Sequence, residues 1–139
     1  MNAISTIENL KSVEDPEELQ RLEEALTTLS SSSLDNRGRE TLFRVFERFP
    51  DKDGYGIFWS ILHELEKSTG YETQLIESVR RQPSEFGLRM VNRILNGGVT
   101  RVGGKGLLLL LEEVAADERQ PVSIREEAQG YLKWQRRLI

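Results

Sequence analysis

Apolar positions along the chain recur every three to four residues, in short stretches separated by clusters of Gly, Pro, Ser and Asp. Leu19, Leu22, Leu26 and Leu29 form one helical stripe, opened by Asp15 as N-cap and Pro16 at the first helical position. The stripe predicts a helix over Pro16 to about Leu29, broken by the serine run Ser30 to Ser33. Asp35 or Asn36 can cap the next segment, in which Leu42, Phe43, Phe46 and Phe49 share a face until Pro50 ends it. Beyond the turn Asp51-Lys52-Asp53-Gly54, a helix carries Ile57, Phe58, Ile61, Leu62 and Leu65 inward and is expected to stop at Gly70 as its C′ residue. Leu75, Ile76 and Val79 mark a helix that stops at Gln82-Pro83. Ser84 then caps one that buries Phe86, Met90, Val91, Ile94 and Leu95.

Val99 to Gly106 is expected to be a loop, because a two-stranded ribbon alone is marginal in water. Lys105 to Ala116 is apolar almost all round and is expected to be the most buried helix. Pro121 and Ser123 introduce the last helix, with Ile124, Ala128, Tyr131 and Leu132 on one face and Arg136 and Arg137 near the end, where cations suit the helix dipole. The prediction is therefore all-α, one domain over residues 1–139, with about seven helices and short connections. From the second helix onward they pair as 37–49 with 55–68, 72–82 with 84–96, and 105–116 with 123–137. The leading helices begin near residues 38, 72 and 105, a spacing close to that of helical-hairpin repeats. Three stacked antiparallel hairpins behind an N-terminal capping helix, a HEAT-like α-solenoid, is the expected architecture. An irregular helical bundle fits the same stripes.

Composition narrows the chemistry. The 139 residues contain no cysteine and one histidine, which removes disulfides, thiolate nucleophiles, cysteine zinc sites and His-rich metal sites. The longest apolar run, Leu107 to Leu111, is far short of a membrane span. The first ten residues carry Glu8 and no early Lys or Arg before a hydrophobic block, unlike a signal peptide, so the expected location is cytoplasmic. A net charge of −4 argues against nucleic acid as partner. The charge is also lopsided: residues 1–35 hold eight acids and two bases, net −6. A solubilising end cap and an interaction surface both account for that imbalance.

Familiar motifs fail in detail. Asp51-Lys52-Asp53-Gly54-Tyr55-Gly56 matches a calcium loop at positions 1, 3 and 6, but position 5 is Tyr55 and position 12 is Leu62, so the closing carboxylate is missing. Gly103-Gly104-Lys105 lacks both the earlier glycine, replaced by Val99, and the following Ser or Thr, replaced by Gly106, of a phosphate loop. His63 beside Glu64 is no catalytic pair, since neighbours in a helix point in different directions. No metal or cofactor is expected, and an enzyme is not the expected class. What remains is an aromatic ridge. If Phe58, Ile61, Leu62 and Leu65 face the core, Tyr55, Trp59 and His63 share an outer ridge beside Asp51, Asp53, Glu64 and Glu66, a composition typical of a binding hot spot. Packing of Trp59 on the neighbouring hairpin is the alternative for that ring, and Trp134 raises the same question.

The wording Gly54-Tyr55-Gly56-Ile57-Phe58-Trp59-Ser60-Ile61-Leu62-His63, then Gly70-Tyr71-Glu72, Ser78-Val79-Arg80-Arg81-Gln82-Pro83 and Met90-Val91-Asn92-Arg93-Ile94-Leu95-Asn96, resembles small bacterial immunity proteins encoded beside polymorphic toxins of contact-dependent and Rhs type. The resemblance covers about a third of the chain and involves no motif of known chemistry. It implies a protein that binds the C-terminal toxin domain of a cognate effector and neutralises it. Nucleases with basic grooves are among such toxins, and an acidic inhibitor would complement them. Asp51, Asp53, Tyr55, Trp59, His63 and Glu64 are the candidate partner-binding residues. The competing reading is a helical scaffold or adaptor for another cellular protein, and a weaker one is a small enzyme using His63.

Overall fold

In the computed structural model, which describes residues 2–138, the chain is all-helical apart from one two-stranded ribbon. The α-helices are α1 (Ala3–Glu8), α2 (Pro16–Ser30), α3 (Asn36–Arg48), α4 (Ile57–Lys67), α5 (Tyr71–Arg81), α6 (Glu85–Asn96), α7 (Leu107–Ala116) and α8 (Val122–Arg137). A 3₁₀ turn, Gly54–Gly56, precedes α4, and strands β1 (Arg101–Val102) and β2 (Lys105–Gly106) precede α7.

Side-chain caps set most of the helix starts. Asp15 accepts from the Glu18 amide at 3.1 Å, Asp35 from Gly38 at 2.7 Å, and Ser84 from Gly87 at 2.9 Å, each satisfying an otherwise orphaned donor. The extra helix α1 was not apparent in the hydrophobic pattern. Its six residues are too few to make a stripe, and Ile7 alone of them is buried. It is held in place from outside by the Arg48 guanidinium on α3, which donates to the carbonyls of Ile7, Glu8 and Leu10 at 2.8, 3.0 and 3.1 Å.

Three other expectations are corrected. Val99 to Gly106 is not a plain loop: Arg101 pairs with Gly106 and Val102 with Lys105 in an antiparallel ribbon. Gly103 and Gly104 both have positive φ, 53° and 78°, as a two-residue hairpin turn requires, and Val102 packs on the core, so the ribbon does not stand alone. Helix α4 ends at Lys67 with Ser68 extended. Gly70 takes its left-handed conformation two residues later, as the entry to α5. Helix α7 is not the most buried, for Leu109 is 51% exposed while α6 buries eight of its twelve residues. The principal neighbour of α7 is α8, which leaves its outer side to solvent.

Helix α3 packs on α5 and α4, α4 on α6, α5 on α6, α6 on α8, and α7 on α8. At the centre, the rings of Phe46 (α3), Phe58 (α4) and Phe86 (α6) lie 5.3 to 5.6 Å apart, all within 2% of full burial. Polar ties reinforce the seams. Glu47 accepts from Ser78 at 2.7 Å and from both sides of the Arg81 guanidinium at 3.0 and 2.8 Å, joining α3 to α5. Gln135 donates to Asn92 at 2.7 Å and Asn96 at 2.8 Å, joining α8 to α6.

Deleting the central ring by Phe46→Ala should cost about 3–5 kcal/mol of unfolding free energy in urea titration, the usual cost of emptying a buried aromatic site. Arg48→Met should leave global stability nearly unchanged but accelerate amide hydrogen exchange in residues 2–13, because it removes the donors that anchor α1 and the following linker.

Candidate functional site

The candidate site begins at an unusual backbone. Gly54, Tyr55 and Gly56 have φ of 57°, 51° and 95°, three left-handed residues in a row, and Tyr55 is the one non-glycine residue with positive φ among the described residues. The turn is held by Asp53: its carboxylate accepts from the Tyr55 amide at 2.9 Å, and its carbonyl from the amides of Gly56 and Phe58 at 3.0 and 3.2 Å. Gly54 is required on steric grounds as well, since a Cβ there would approach the Phe58 ring to 2.9 Å. A tyrosine in this region is strained by about 1 kcal/mol or more. The conformation turns its side chain outward, where it is 75% exposed.

One turn into α4, Trp59 is 40% exposed and lies edge-on to Phe86, with centroids 5.4 Å apart. Both expectations for this ring are therefore met in part: one side packs on the neighbouring helix and the other meets solvent. Its solvent side is partly covered by Arg89 of α6, whose guanidinium carbon lies 4.8 Å from the Trp59 centroid and 4.5 Å from that of Phe86. His63, exposed, continues the ridge at 6.2 Å from Trp59. Trp134, on α8, is 47% exposed.

The acidic residues expected beside the ridge divide. Asp51 and Asp53 are exposed in the turn before α4, which is brought against α6 by the Glu85 amide donating to the Pro50 carbonyl at 2.8 Å. Glu64 instead lies on another side of α4, paired with Lys67 at 3.1 Å and bordering a groove with the serine run and Arg39. Glu66 accepts from Nε and Nη2 of Arg93, at 2.7 and 2.9 Å. These two glutamates are already partnered within the chain.

Two acids that the sequence pattern did not single out take their place. Glu85 opens α6, and Glu127 lies on α8 with its Oε2 enclosed and without a hydrogen-bond partner. Burial, and then the charge of Glu127, push the Glu85 carboxyl above its ordinary value; Arg89 opposes this, while Asp51 and Asp53 add to it. Burial and the charge of Glu127 likewise push the Tyr131 hydroxyl up, with Arg89 opposing. Glu85, Arg89, Glu127 and Tyr131 thus form one electrostatic group, adjoining Trp59 through Arg89. Sequence spacing could not find it, because Glu85–Arg89 and Glu127–Tyr131 each read as ordinary i, i+4 helix pairs, and only the packing of α6 on α8 joins them.

A groove of about 340 Å³ beside the turn has Glu14, Asp51, Asp53, Tyr55 and Glu85 on its walls, with Lys52 as its one cation, paired with Glu14 at 2.9 Å. A larger one, about 760 Å³, lies between α1 and α2, but its charges are mixed, Lys11 and Arg21 with Glu18 and Glu24, and it has no aromatic lining. Among the described residues no group of three or more His, Cys, Asp or Glu side chains is placed to hold a metal ion. No helix among the described residues is long and apolar enough to cross a membrane. No family model, curated protein or solved structure matches the chain.

A carboxyl whose pKa is higher in the folded than in the unfolded chain binds its proton more readily when folded. Its charge therefore costs stability, with the loss setting in as pH rises from the ordinary value of 4.5 through the raised one. Comparing wild type with Glu85→Gln by urea unfolding between acid and neutral pH should show the wild type falling behind as pH increases. Equal pH slopes would mean that neither burial nor the charges of Glu127, Asp51 and Asp53 raise the Glu85 carboxyl.

Proposed function

We propose that this chain neutralises a bacterial toxin domain by direct binding, in the manner of the immunity proteins of contact-dependent and Rhs-type systems that residues 53–98 resemble. The observation that carries the reading is the exposed ridge of Tyr55, Trp59 and His63 flanked by carboxylates free of ion pairing. An exposed Tyr and a half-exposed Trp on a fixed backbone, rimmed by charge, give a partner both contact area and orientation. The Trp59 ring is held in advance by Phe86 and Arg89, and the Tyr55 backbone by Asp53, which lowers the entropy lost on association. The negative surface suits a toxin domain with a basic substrate groove, such as a nuclease, and would speed the encounter as well as select the partner.

The architecture that goes with this reading is a HEAT-like solenoid of three hairpins, α3–α4, α5–α6 and α7–α8, behind the α1–α2 cap. Contacts between corresponding helices of successive hairpins, α3 with α5, α4 with α6 and α6 with α8, support it. In such a stack the ridge on α4 lies alongside the exposed sides of α6 and α8, so one partner could span all three. The reading assigns the protein a binding role in the cytoplasm and no reaction of its own.

The test is co-expression with the C-terminal domain of the protein encoded directly upstream, scoring growth and then co-purification. Rescue of growth with a stable complex is expected. Trp59→Ala should weaken that complex by about tenfold or more, as loss of a hot-spot aromatic does, and His63→Ala by less. A domain that is not toxic, or that forms no complex, would turn the assignment to a scaffold for another cellular protein.

A further inference from the structure

Helix α8 buries Ile124, Ala128, Leu132 and Gln135 and packs on α6 and α7. Gln135 ties it to Asn92 and Asn96 of α6, and Arg136 ties it to Glu112 of α7 at 2.8 Å. Its other side carries Val122, Glu126, Gln129, Gly130, Lys133 and Arg137 at i, i+4, i+7, i+8, i+11 and i+15, one continuous stripe in which every residue is exposed. Two features of that stripe have no cause inside the chain. The first is Gly130. Glycine in a helix interior is less stable than alanine, and the other two glycines within the α-helices have a steric reason. A Cβ on Gly38 would come within 3.1 Å of the Leu34 side chain, and one on Gly87 within 2.9 Å of Ser84 Oγ, whereas a Cβ on Gly130 would meet nothing within 4 Å. The second is charge. Among the described residues Glu126 and Lys133 have no ion-pair partner within 4.0 Å. Seven residues apart, about 10 Å along the axis, they are too distant to pair with each other.

Glu126 and Lys133 lie symmetrically about the midpoint between Gln129 and Gly130. A second α8 turned end for end therefore sets its Lys133 against Glu126 and its Glu126 against Lys133, with Gln129 over Gly130 at the crossing and the stem of Arg137 beside Val122. We propose that this face of α8 is the contact of a two-fold homodimer, in which two α8 helices cross antiparallel at Gly130. The absent side chain lets the two backbones approach closely there, and the two symmetry-related Glu126–Lys133 pairs fix the register. A parallel pair would set Glu126 on Glu126 and Lys133 on Lys133, so charge selects the antiparallel arrangement. One helix pair is small beside the ~1,600 Å² of a standard interface, and the dimer is accordingly weak. It uses no residue of the Tyr55–Trp59–His63 ridge and does not rest on the toxin-neutralising reading.

Sedimentation equilibrium of the full chain, up to about 1 mM, tests this. The mass should pass from monomer to dimer with a Kd on the order of 100 µM. Gly130→Leu should weaken the dimer by about tenfold or more, while the melting temperature of the dilute monomer holds or rises, because leucine is the better helix former and has room. Glu126→Lys and Lys133→Glu each bring like charges together and should each weaken self-association by about tenfold. An equimolar mixture of those two proteins, or the double variant Glu126→Lys/Lys133→Glu, should recover the wild-type affinity within about threefold, since either restores opposite charges at both contacts. A chain that stays monomeric throughout, or a mass that keeps rising past the dimer, would overturn the inference. So would dimers that survive Gly130→Leu, a dilute Gly130→Leu monomer that melts lower than wild type, or charge reversals that neither the mixture nor the double variant rescues.

Discussion

The packing of Phe86 against Phe46 and Phe58 is the constraint on which the rest of the molecule depends. These rings come from three helices and meet at one point, so the positions of α3, α4 and α6 are fixed together rather than pair by pair. The consequences reach the surface within one side chain. Phe86 is also the wall against which Trp59 stands edge-on and the floor over which Arg89 lies. Gly54 must be a glycine because Phe58 occupies the space its side chain would need. At Trp59 the exposed ridge is therefore an outer layer of the core, placed by the buried Phe86 ring, while Asp53 holds the turn at Tyr55.

That dependence explains which parts of the molecule were legible in the sequence. Helices α2 to α6 were readable because their stripes and caps are local: Asp15, Asp35 and Ser84 each act within three residues, and Pro50 and Pro83 stop what precedes them. The Tyr55–Trp59–His63 ridge follows from the same periodicity once Phe58, Ile61 and Leu62 are known to face inward. What was not legible depends on contacts distant in sequence. Helix α1 is held by Arg48, some forty residues away, and has too little apolar surface to announce itself. The ribbon at Arg101 to Gly106 exists because Val102 finds the core. Glu64 was placed with the ridge on composition, yet its position on the helix turns it to Lys67. Glu85, Glu127 and Arg89 were invisible because the relevant neighbours are set by how α6 meets α8.

The same region holds the clearest departures from what stability alone would favour. Elsewhere the protein resolves its polar groups with care: Glu47 satisfies two side chains across α3 and α5, and Gln135 bridges two asparagines. At the start of α4 it accepts a tyrosine in left-handed conformation, and at α6 it accepts a carboxyl, Glu85, whose proton affinity burial and the charge of Glu127 raise. Local violations of otherwise consistent design tend to collect where a surface is held ready for something else. Their coincidence with an exposed tryptophan and tyrosine makes this face a better candidate for function than any other part of the surface.

Charge distribution along the chain points elsewhere, and the difference is instructive. Residues 1–35 are the acidic segment by count, but their acids are spread over an open helix where water and neighbours screen them, with Glu17 and Glu18 both at Arg21. The carboxylates beside the ridge, Asp51, Asp53 and Glu85, are fewer and come from segments that look balanced in sequence. They matter more because they share the walls of one groove, where burial and neighbouring charges push the Glu85 carboxyl up and the guanidinium of Arg89 already lies on aromatic rings. Electrostatic recognition depends on the density of charge that a partner meets at one point, and that density is created by folding. The most acidic stretch of the chain is therefore not its strongest candidate for recognition: the turn before α4 sets carboxylates that have no ion-pair partner among the described residues beside an exposed aromatic side chain.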